Sequence, residues 1–538
     1  MFRSHRAPRC AEHSYLMPTL FDAIFTPERD SQTAILFAGR EVTYSQLRAE
    51  TIRAAEVFHA LDVERGARIA ILLHDSPEFI ACFLAIQLLG AIAVPVNLAL
   101  SPAEQRFILD DCSARIAVVE TDFCNTFPTD ASNPLRQLEQ VLVVEREHAV
   151  QLAGIQGLAS RLFSAAPRRP LSAGSRAHSP ADDSAEPSLI LYTSGSTGTA
   201  KGAVHCQADI FYTNEVFCKD VLRLRKGDRL FSSSRLPFAY GLGNGLSFPL
   251  LNGATTILCR EKPSPEIIAG VSTQYHPTIF FAVPLVFKLL LERHRTNPLD
   301  CASLRLCISA GEALPAAIGE QWQRTFGVPV LDGIGSTEMM HMWMSNHEDD
   351  LRYGSSGKLL DGYEAKLLDQ TGEATPAGEE GNLWVKGESA SSGYWQRPEE
   401  TARTFVDGWV RTGDLYRCDA DGFWYHMGRS DDCFKSSGQW VSPVEVEGIL
   451  IRHQGVSAAA VVEDFDESGL PCAGAFVVKS EVETSDVELE ESLRALAKDA
   501  LPRFKRPRNY RFVSNLPYTA TGKIQRFKLR ASLRADQA

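Results

Sequence analysis

The chain has 538 residues, 44% of them hydrophobic, and a formal net charge of −12, so it exceeds one ordinary core and divides into two or more domains. The acidic balance supplies no strong basic field, which argues against nucleic acid and against stable membrane association. The 12 cysteines are scattered, without a Cys-x-x-Cys pair or a Cys/His cluster at zinc spacing; reduced thiols in a cytoplasmic protein are the plain reading.

Arg3, Arg6 and Arg9 have no apolar run behind them, so the start is not a secretory signal, and Met1 to Cys10 is expected to be disordered. Phe37 to Ser45 predicts a hairpin, Ser45 to Leu61 a helix and Arg68 to Leu73 a strand. Phe79 to Leu100 lacks charge and is long enough to cross a bilayer, yet Gln87, Gly90, Pro95 and Asn97 interrupt it. A buried helix over Pro77 to Leu89 and a strand over Ala91 to Val96 account for it better. Strand–helix alternation continues through Phe107 to Val119 and Gln140 to Val144, which implies a parallel sheet covered by helices. Ser164 to Pro187, rich in Ser, Ala, Pro and Arg, reads as a surface loop.

Ser188 to Tyr192 and Arg229 to Ser232 predict strands, with a helix over Ala208 to Phe217 between them. Gly241-Leu242-Gly243-Asn244-Gly245 is not a dinucleotide fingerprint, because its third glycine comes one residue early; close helix packing against a pocket fits it. Leu304 to Ser309 and Val328 to Asp332 predict strands whose carboxyl ends run into Ala310-Gly311-Glu312-Ala313 and Gly333-Ile334-Gly335, and ligands of open α/β sheets collect at such ends. From Gly357 to Gly387 the pattern becomes β-rich and predicts a small barrel-like subdomain. After Arg429 come a helix over Val444 to His453, strands over Ala458 to Val462 and Ala473 to Val478, a helix over Leu489 to Leu501 and a strand over Tyr510 to Val513. The expected fold is therefore α/β: a large N-terminal domain of helix-covered sheets, residues 1–430, and a small mobile α+β C-terminal domain, residues 431–538.

Between the strand at Ser188 to Tyr192 and the following helix stands Thr193-Ser194-Gly195-Ser196-Thr197-Gly198-Thr199-Ala200-Lys201-Gly202. Glycines let backbone N–H groups approach an anion, the hydroxyls add donors and Lys201 adds charge, which reads as a phosphate-binding loop. It is not a Walker loop, since Ala200 precedes Lys201 and Gly202 follows it. Taken alone, such a run is more often a surface linker.

Together with Gly333-Ile334-Gly335-Ser336-Thr337-Glu338, Arg411-Thr412-Gly413-Asp414-Leu415-Tyr416, Gly428-Arg429-Ser430-Asp431-Asp432 and Thr521-Gly522-Lys523, the loop resembles the adenylate-forming superfamily of acyl-CoA and aryl-CoA ligases, with the motifs in that family's order. Phe238-Ala239-Tyr240-Gly241-Leu242-Gly243-Asn244 and Asp332 to Met339 are most similar to benzoate-CoA ligases. The resemblance implies activation of an aryl acid by ATP and Mg²⁺ to acyl-AMP, then transfer to coenzyme A. The alternative it leaves is an aryl-acid adenylating enzyme that loads a carrier protein; no carrier domain follows Ala538, so that carrier would be another chain. Between monomer and homodimer the sequence does not decide.

The resemblance also distributes roles. Thr193, Ser194, Gly195, Ser196, Thr197, Gly198 and Lys201 match the binding site of the β- and γ-phosphates, and Glu338, a hard oxygen ligand, matches the Mg²⁺ carboxylate. Gly311, Glu312, Ala313 and Asp332 match the adenine side, Gly333 and Thr337 belong to the ATP-binding set as well, and Asp414 with Arg429 match the ribose contacts. Phe238, Ala239, Tyr240, Gly241, Ile334, Gly335 and His341 match the acid pocket, where Ala239, Gly333 and Gly335 are expected to leave a flat slot between the walls of Tyr240 and Ile334. His341 either hydrogen-bonds a polar ring substituent or only buttresses that pocket. Lys523 matches the lysine that bridges carboxylate and α-phosphate, Asp431 the hinge about which the small domain turns, and Gly438 the lining of a narrow pantetheine channel. For nearby Lys435 a catalytic role and plain exposure stand side by side.

Overall fold

The structure, a computed structural model, describes residues 18–120, 123, 135, 137–144, 159–161, 186–193, 200–436, 439–466, 468–480, 485–518 and 524–535. The expectation for Met1 to Cys10 and nearly all of that for Ser164 to Pro187 lie outside the described residues.

A seven-stranded sheet runs in the order Ala159–Arg161, Gln140–Val144, Ile116–Glu120, Arg68–Leu72, Ile92–Pro95, Pro187–Thr193 and Lys201–Cys206, parallel until its last, antiparallel pair. Ile116–Glu120 and Ile92–Pro95 are buried at every position, as a strand covered by helices on both faces must be. The charge-free stretch that could have crossed a membrane lies here. Pro77–Leu88 is a buried helix, started by Pro77 and by Ser76 Oγ accepting from Phe79 N at 3.2 Å, and Ile92–Pro95 is an interior strand. Among the described residues no helix is long and apolar enough to cross a membrane.

A nine-stranded sheet stands beside it, in the order Lys358–Leu359, Met342–Ser345, Val330–Gly335, Leu306–Ser309, Ile279–Ala282, Arg229–Ser232, Thr255–Ile257, Thr33–Phe37 and Arg40–Thr43. The expected hairpin is present but earlier in the chain: it spans Thr33 to Thr43, turning through Ala38 and Gly39, both with positive φ. Thr43 then caps the helix Tyr44–Ala60 reciprocally with Gln46, which ends the strand before Ser45. Lys201–Cys206 is a strand that its Lys-Gly start does not announce, and the helices Pro265–Tyr275, Pro284–Thr296 and Ala316–Phe326 cover the larger sheet where the sequence carried no expectation.

The β-rich region beyond Gly357 forms a five-stranded antiparallel sheet of Glu364–Leu368, Glu380–Lys386, Phe405–Val406, Trp409–Cys418 and Trp424–Arg429. From Phe434 onward the chain builds apolar clusters of its own, with Val446, Leu450, Val461, Ala475, Leu489 and Leu493 at their centre. These fill the space between the strands Val456–Phe465, Pro471–Lys479 and Asn509–Phe512 and the helices Pro443–Leu450, Asp486–Ala500 and Arg526–Ala535. Glu447, buried at the heart of this unit, takes Val461 N at 2.7 Å and Arg526 Nη2 at 2.7 Å; removing one partner of so buried a pair costs about 3–5 kcal/mol.

The passage between the two parts is tied down on either side of Asp431. Ser430 donates to the Gly413 carbonyl from both its backbone N (2.9 Å) and its Oγ (3.0 Å). Asp432 takes Arg530 at 2.9 Å and lies 3.6 Å from Arg526, while Asp431 between them is exposed.

Candidate active site

Where the carboxyl ends of both sheets meet the small unit lies a cavity of about 2800 Å³. Thr193 and Lys201, expected at the phosphates, line it at one end: they are paired in register across the antiparallel strands that lead into and out of the Ser/Thr/Gly run. Ser194, Gly195, Ser196, Thr197 and Gly198 lie outside the described residues. Gly202 is demanded by packing, because a Cβ there would stand 2.6 Å from Ile190 Cγ2.

Glu338 sits in the short 3₁₀ turn Thr337–Met339 that joins Val330–Gly335 to Met342–Ser345. Its carboxylate Oε1 accepts from Tyr394 Oη at 2.7 Å, and its backbone carbonyl accepts from Ser391 N at 2.7 Å. The Thr337 carbonyl lies 2.7 Å from Nε2 of buried His205, whose Nδ1 lies 2.9 Å from Asp209 Oδ2. Two separate segments, 391–394 and 205–209, therefore brace the turn that carries this carboxylate, which lines the cavity.

Asp414 and Arg429 are cross-strand partners on Trp409–Cys418 and Trp424–Arg429, with Arg429 Nη1 donating to Asp414 Oδ1 at 3.1 Å and to the Thr412 carbonyl at 3.0 Å. A carboxylate with a neighbouring guanidinium is a donor–acceptor set suited to vicinal hydroxyls. His426 Nε2, 3.6 Å from Asp414 Oδ1, belongs to the same wall, although no motif drew attention to it.

The turn Gly311-Glu312-Ala313 lines the cavity after Leu306–Ser309, with Gly311 at φ +96, a conformation that favours glycine. Asp332 is not on the wall. It is 3% exposed and sits behind the turn, where its Oδ2 accepts from Leu314 N at 3.1 Å. Burial pushes its carboxyl up to about 7, against the pull of the Leu314 N–H.

Of the residues expected to form the acid pocket, Phe238, Ala239, Tyr240, Ile334, Gly335 and His341 line the cavity, together with Gly333. Tyr240 Oη donates to the Ile308 carbonyl at 3.1 Å, which fixes its ring as a wall. The glycines call for a correction. A Cβ on Gly333 would lie 2.3 Å from the Met344 carbonyl oxygen, and one on Gly335 would lie 2.6 Å from that of His341. Their smallness is thus spent on bringing Val330–Gly335 against Met342–Ser345, not on opening a slot. Gly241, whose Cβ would stand 1.9 Å from the Arg235 carbonyl oxygen, likewise serves packing and is absent from the wall.

His341 is 3% exposed, its ring centroid 4.9 Å from Phe217, 4.6 Å from Phe248 and 5.5 Å from Tyr240. Burial pushes its imidazole down to about 3, so the ring is neutral. Asp332 and His341 make opposite contributions to acid stability. The folded state holds a proton on Asp332 that the unfolded state has lost, so that contribution is full below pH 3.8 and gone above about 7. The unfolded state holds a proton on His341 that the folded state lacks, so stability from this residue rises with pH between about 3 and 6.5. Asp332→Asn should therefore gain on the wild type as pH rises from 4.5 to 7, by up to about 3 kcal/mol; denaturant midpoints at the two pH values measure it. A wild-type–variant difference that is the same at both would refute the titration assigned to Asp332.

The small unit faces the cavity with Tyr518 and with Ile524 to Phe527. Lys523 lies outside the described residues, but the neck of its loop does not: Gln525 N donates to the Pro517 carbonyl at 2.8 Å, and Tyr518 bridges Ile524. Gly438 also lies outside the described residues, in the two-residue connection between Phe434–Ser436 and Gln439–Val441. Lys435 is exposed on the first of these strands and away from the cavity wall.

The chain matches the family model of AMP-binding enzymes over residues 26–395 and that of the AMP-binding enzyme C-terminal domain over residues 445–523. It is 39% identical to a benzoate–CoA ligase of Thauera aromatica over 94% of this chain and 93% of that one. It is 35% identical to a 3-hydroxybenzoate/4-hydroxybenzoate–CoA ligase of the same organism, over 94% of each. Among solved structures, the anthranilate CoA ligase AuaEII in complex with anthranoyl-AMP superposes with a TM-score of 0.88 at 35% identity, over 97% of this chain and 98% of that one. A benzoate CoA ligase from Burkholderia xenovorans LB400 superposes with a TM-score of 0.84 at 36% identity, over 96% and 100%. With both parts of the chain matched and the relatives covered almost end to end, the chain belongs to the adenylate-forming family of AMP-binding enzymes.

Proposed function

We propose that the protein is a cytoplasmic aryl-acid:CoA ligase that uses ATP and Mg²⁺ to convert benzoate or a small substituted benzoate to acyl-AMP, with release of pyrophosphate, and then forms the aryl-CoA thioester. One observation carries this reading: an aromatic pocket walled by Tyr240, Ile334 and His341 opens into the same cavity as Lys201, Glu338 and the Asp414–Arg429 pair. The relatives named for benzoate and hydroxybenzoate support the acid class.

In this mechanism residues 1–430 bind ATP and acid, and residues 431–538 bring Lys523. Lys201 and the hydroxyls around it hold the β- and γ-phosphates, Asp414 and Arg429 hold the ribose, and the Gly311-Glu312-Ala313 turn, propped by Asp332, flanks adenine. Glu338 would hold Mg²⁺, which when bound neutralises charge on the phosphates; a hard carboxylate beside a phosphate-binding lysine fits that ion. Lys523 draws the acid carboxylate to the α-phosphate, and because the bond-making atoms are charged, catalysis is mainly positioning and charge stabilisation. Rotation about Asp431 then replaces Lys523 with the Gly438 side of the small domain, which admits coenzyme A.

The substrate is tested by kcat/KM for benzoate, its hydroxy and amino derivatives, cinnamate, hexanoate and acetate. Burying a phenyl ring is worth about 3 kcal/mol, so benzoate or a substituted benzoate should exceed acetate by roughly a hundredfold. A clear preference for hexanoate or acetate refutes the aryl assignment, and product formation only with a carrier protein as thiol acceptor would refute the CoA ligase.

A further inference from the structure

Tyr394, in the segment Ser391-Ser392-Gly393-Tyr394-Trp395, touches both charged groups at the phosphate end. Its hydroxyl donates to Glu338 Oε1 at 2.7 Å, and the Lys201 ammonium lies over its ring, 5.5 Å from the centroid. The side chain is itself held. It is 8% exposed, stacked edge-on against Phe405 at 5.5 Å, and its backbone N donates to Thr401 Oγ1 at 2.9 Å. The same segment also holds the backbone of its target, through Ser391 N on the Glu338 carbonyl at 2.7 Å, and it is stitched to the strand of Lys201 by Val204 N on the Gly393 carbonyl at 3.0 Å and by Trp395 N on the Gly202 carbonyl at 2.7 Å.

These contacts do more than fill space. A carboxylate that is to meet a cation and a lysine that is to meet phosphate tend to neutralise one another when both are mobile. A phenol hydrogen-bonded to one and a ring face beneath the other hold each in a fixed place, at the cost of a single side chain. We propose that Tyr394 is a positioning residue for cation-bound ATP, fixing one oxygen of Glu338 and, through its ring, the ammonium of Lys201. This rests on the reading of Glu338 as the carboxylate that meets the cation.

Tyr394→Phe keeps the ring, its packing and the stacked lysine, and removes only the hydroxyl. With the full chain and an unreactive ATP analogue, Mn²⁺ binding followed by electron paramagnetic resonance should weaken roughly tenfold, the loss expected for one hydrogen bond to a charged group. The Mg²⁺ concentration giving half-maximal pyrophosphate release should rise by a similar factor. KM for the aryl acid and thioester formation from supplied acyl-AMP should not change. Unaltered Mn²⁺ binding in Tyr394→Phe, with binding lost in Glu338→Gln, overturns the role of Tyr394 and leaves that of Glu338 standing. Unaltered binding in Glu338→Gln overturns the reading of Glu338 itself, and the proposal with it.

Discussion

Lys523→Ala is expected to abolish acyl-adenylate formation while sparing thioester formation from supplied acyl-AMP. The first half-reaction gathers negative charge from an acid carboxylate, an α-phosphate and a departing pyrophosphate, and a preorganised ammonium lowers the energy of that arrangement most in its transition state. Its removal should cost on the order of 3 kcal/mol or more, a hundredfold or greater loss of rate. In the second half-reaction the adenylate is already made, and the proposed rotation about Asp431 has carried the lysine away. Pyrophosphate release and thioester yield from synthetic acyl-AMP, measured on one preparation, separate the two. Equal losses in both would remove Lys523 from the role given to it.

Gly438→Leu should give the reverse pattern, with adenylate formation nearly intact and transfer to coenzyme A stopped by a side chain standing in the channel. Asp431→Pro should resemble it by a different route. Asp431 is the one exposed residue between Ser430, tied to the Gly413 carbonyl, and Asp432, tied to Arg530, so a change in domain orientation falls on its dihedrals, and proline fixes φ there. A loss of tenfold or more in thioester formation, with pyrophosphate release within about twofold of wild type, is the expected result. If both activities fall together, the two-orientation scheme does not hold for this chain.

Much of the fold was legible because its interior strands are uninterrupted apolar runs. Gln140–Val144 and Arg229–Ser232 lie where the pattern put them, and Ile92–Pro95 within a residue of it. Three kinds of feature were not. Thr33–Phe37 escaped because the expected hairpin began only at its last residue, displaced toward the helix start at Tyr44, and Lys201–Cys206 because it abuts a louder signal, the phosphate-loop motif. Gly333 and Gly335 read as room for a ring, whereas the backbone of a neighbouring strand claims that room; only the pairing partner reveals which. Tyr394 was illegible as part of the site because its partner Glu338 is 56 positions away and a glycine-tyrosine pair in a loop carries no chemistry of its own. His205, near the end of a strand, and Asp209, in the first turn of the helix after it, gave no sign that His205, held by Asp209, braces the Thr337 carbonyl.

The sequence around Lys523 is flanked by a closed neck. Tyr518 is bridged to Ile524 and Gln525 N donates to the Pro517 carbonyl, so the described residues on the two sides of that stretch stand together. The neck itself lines the cavity. In the proposed adenylation step, a lysine carried on a short stretch between two joined ends acts at an effective concentration above that of a lysine free in solution. Lengthening the loop with glycines should dilute it, lowering the adenylation rate in steps while leaving every side chain of the site in place.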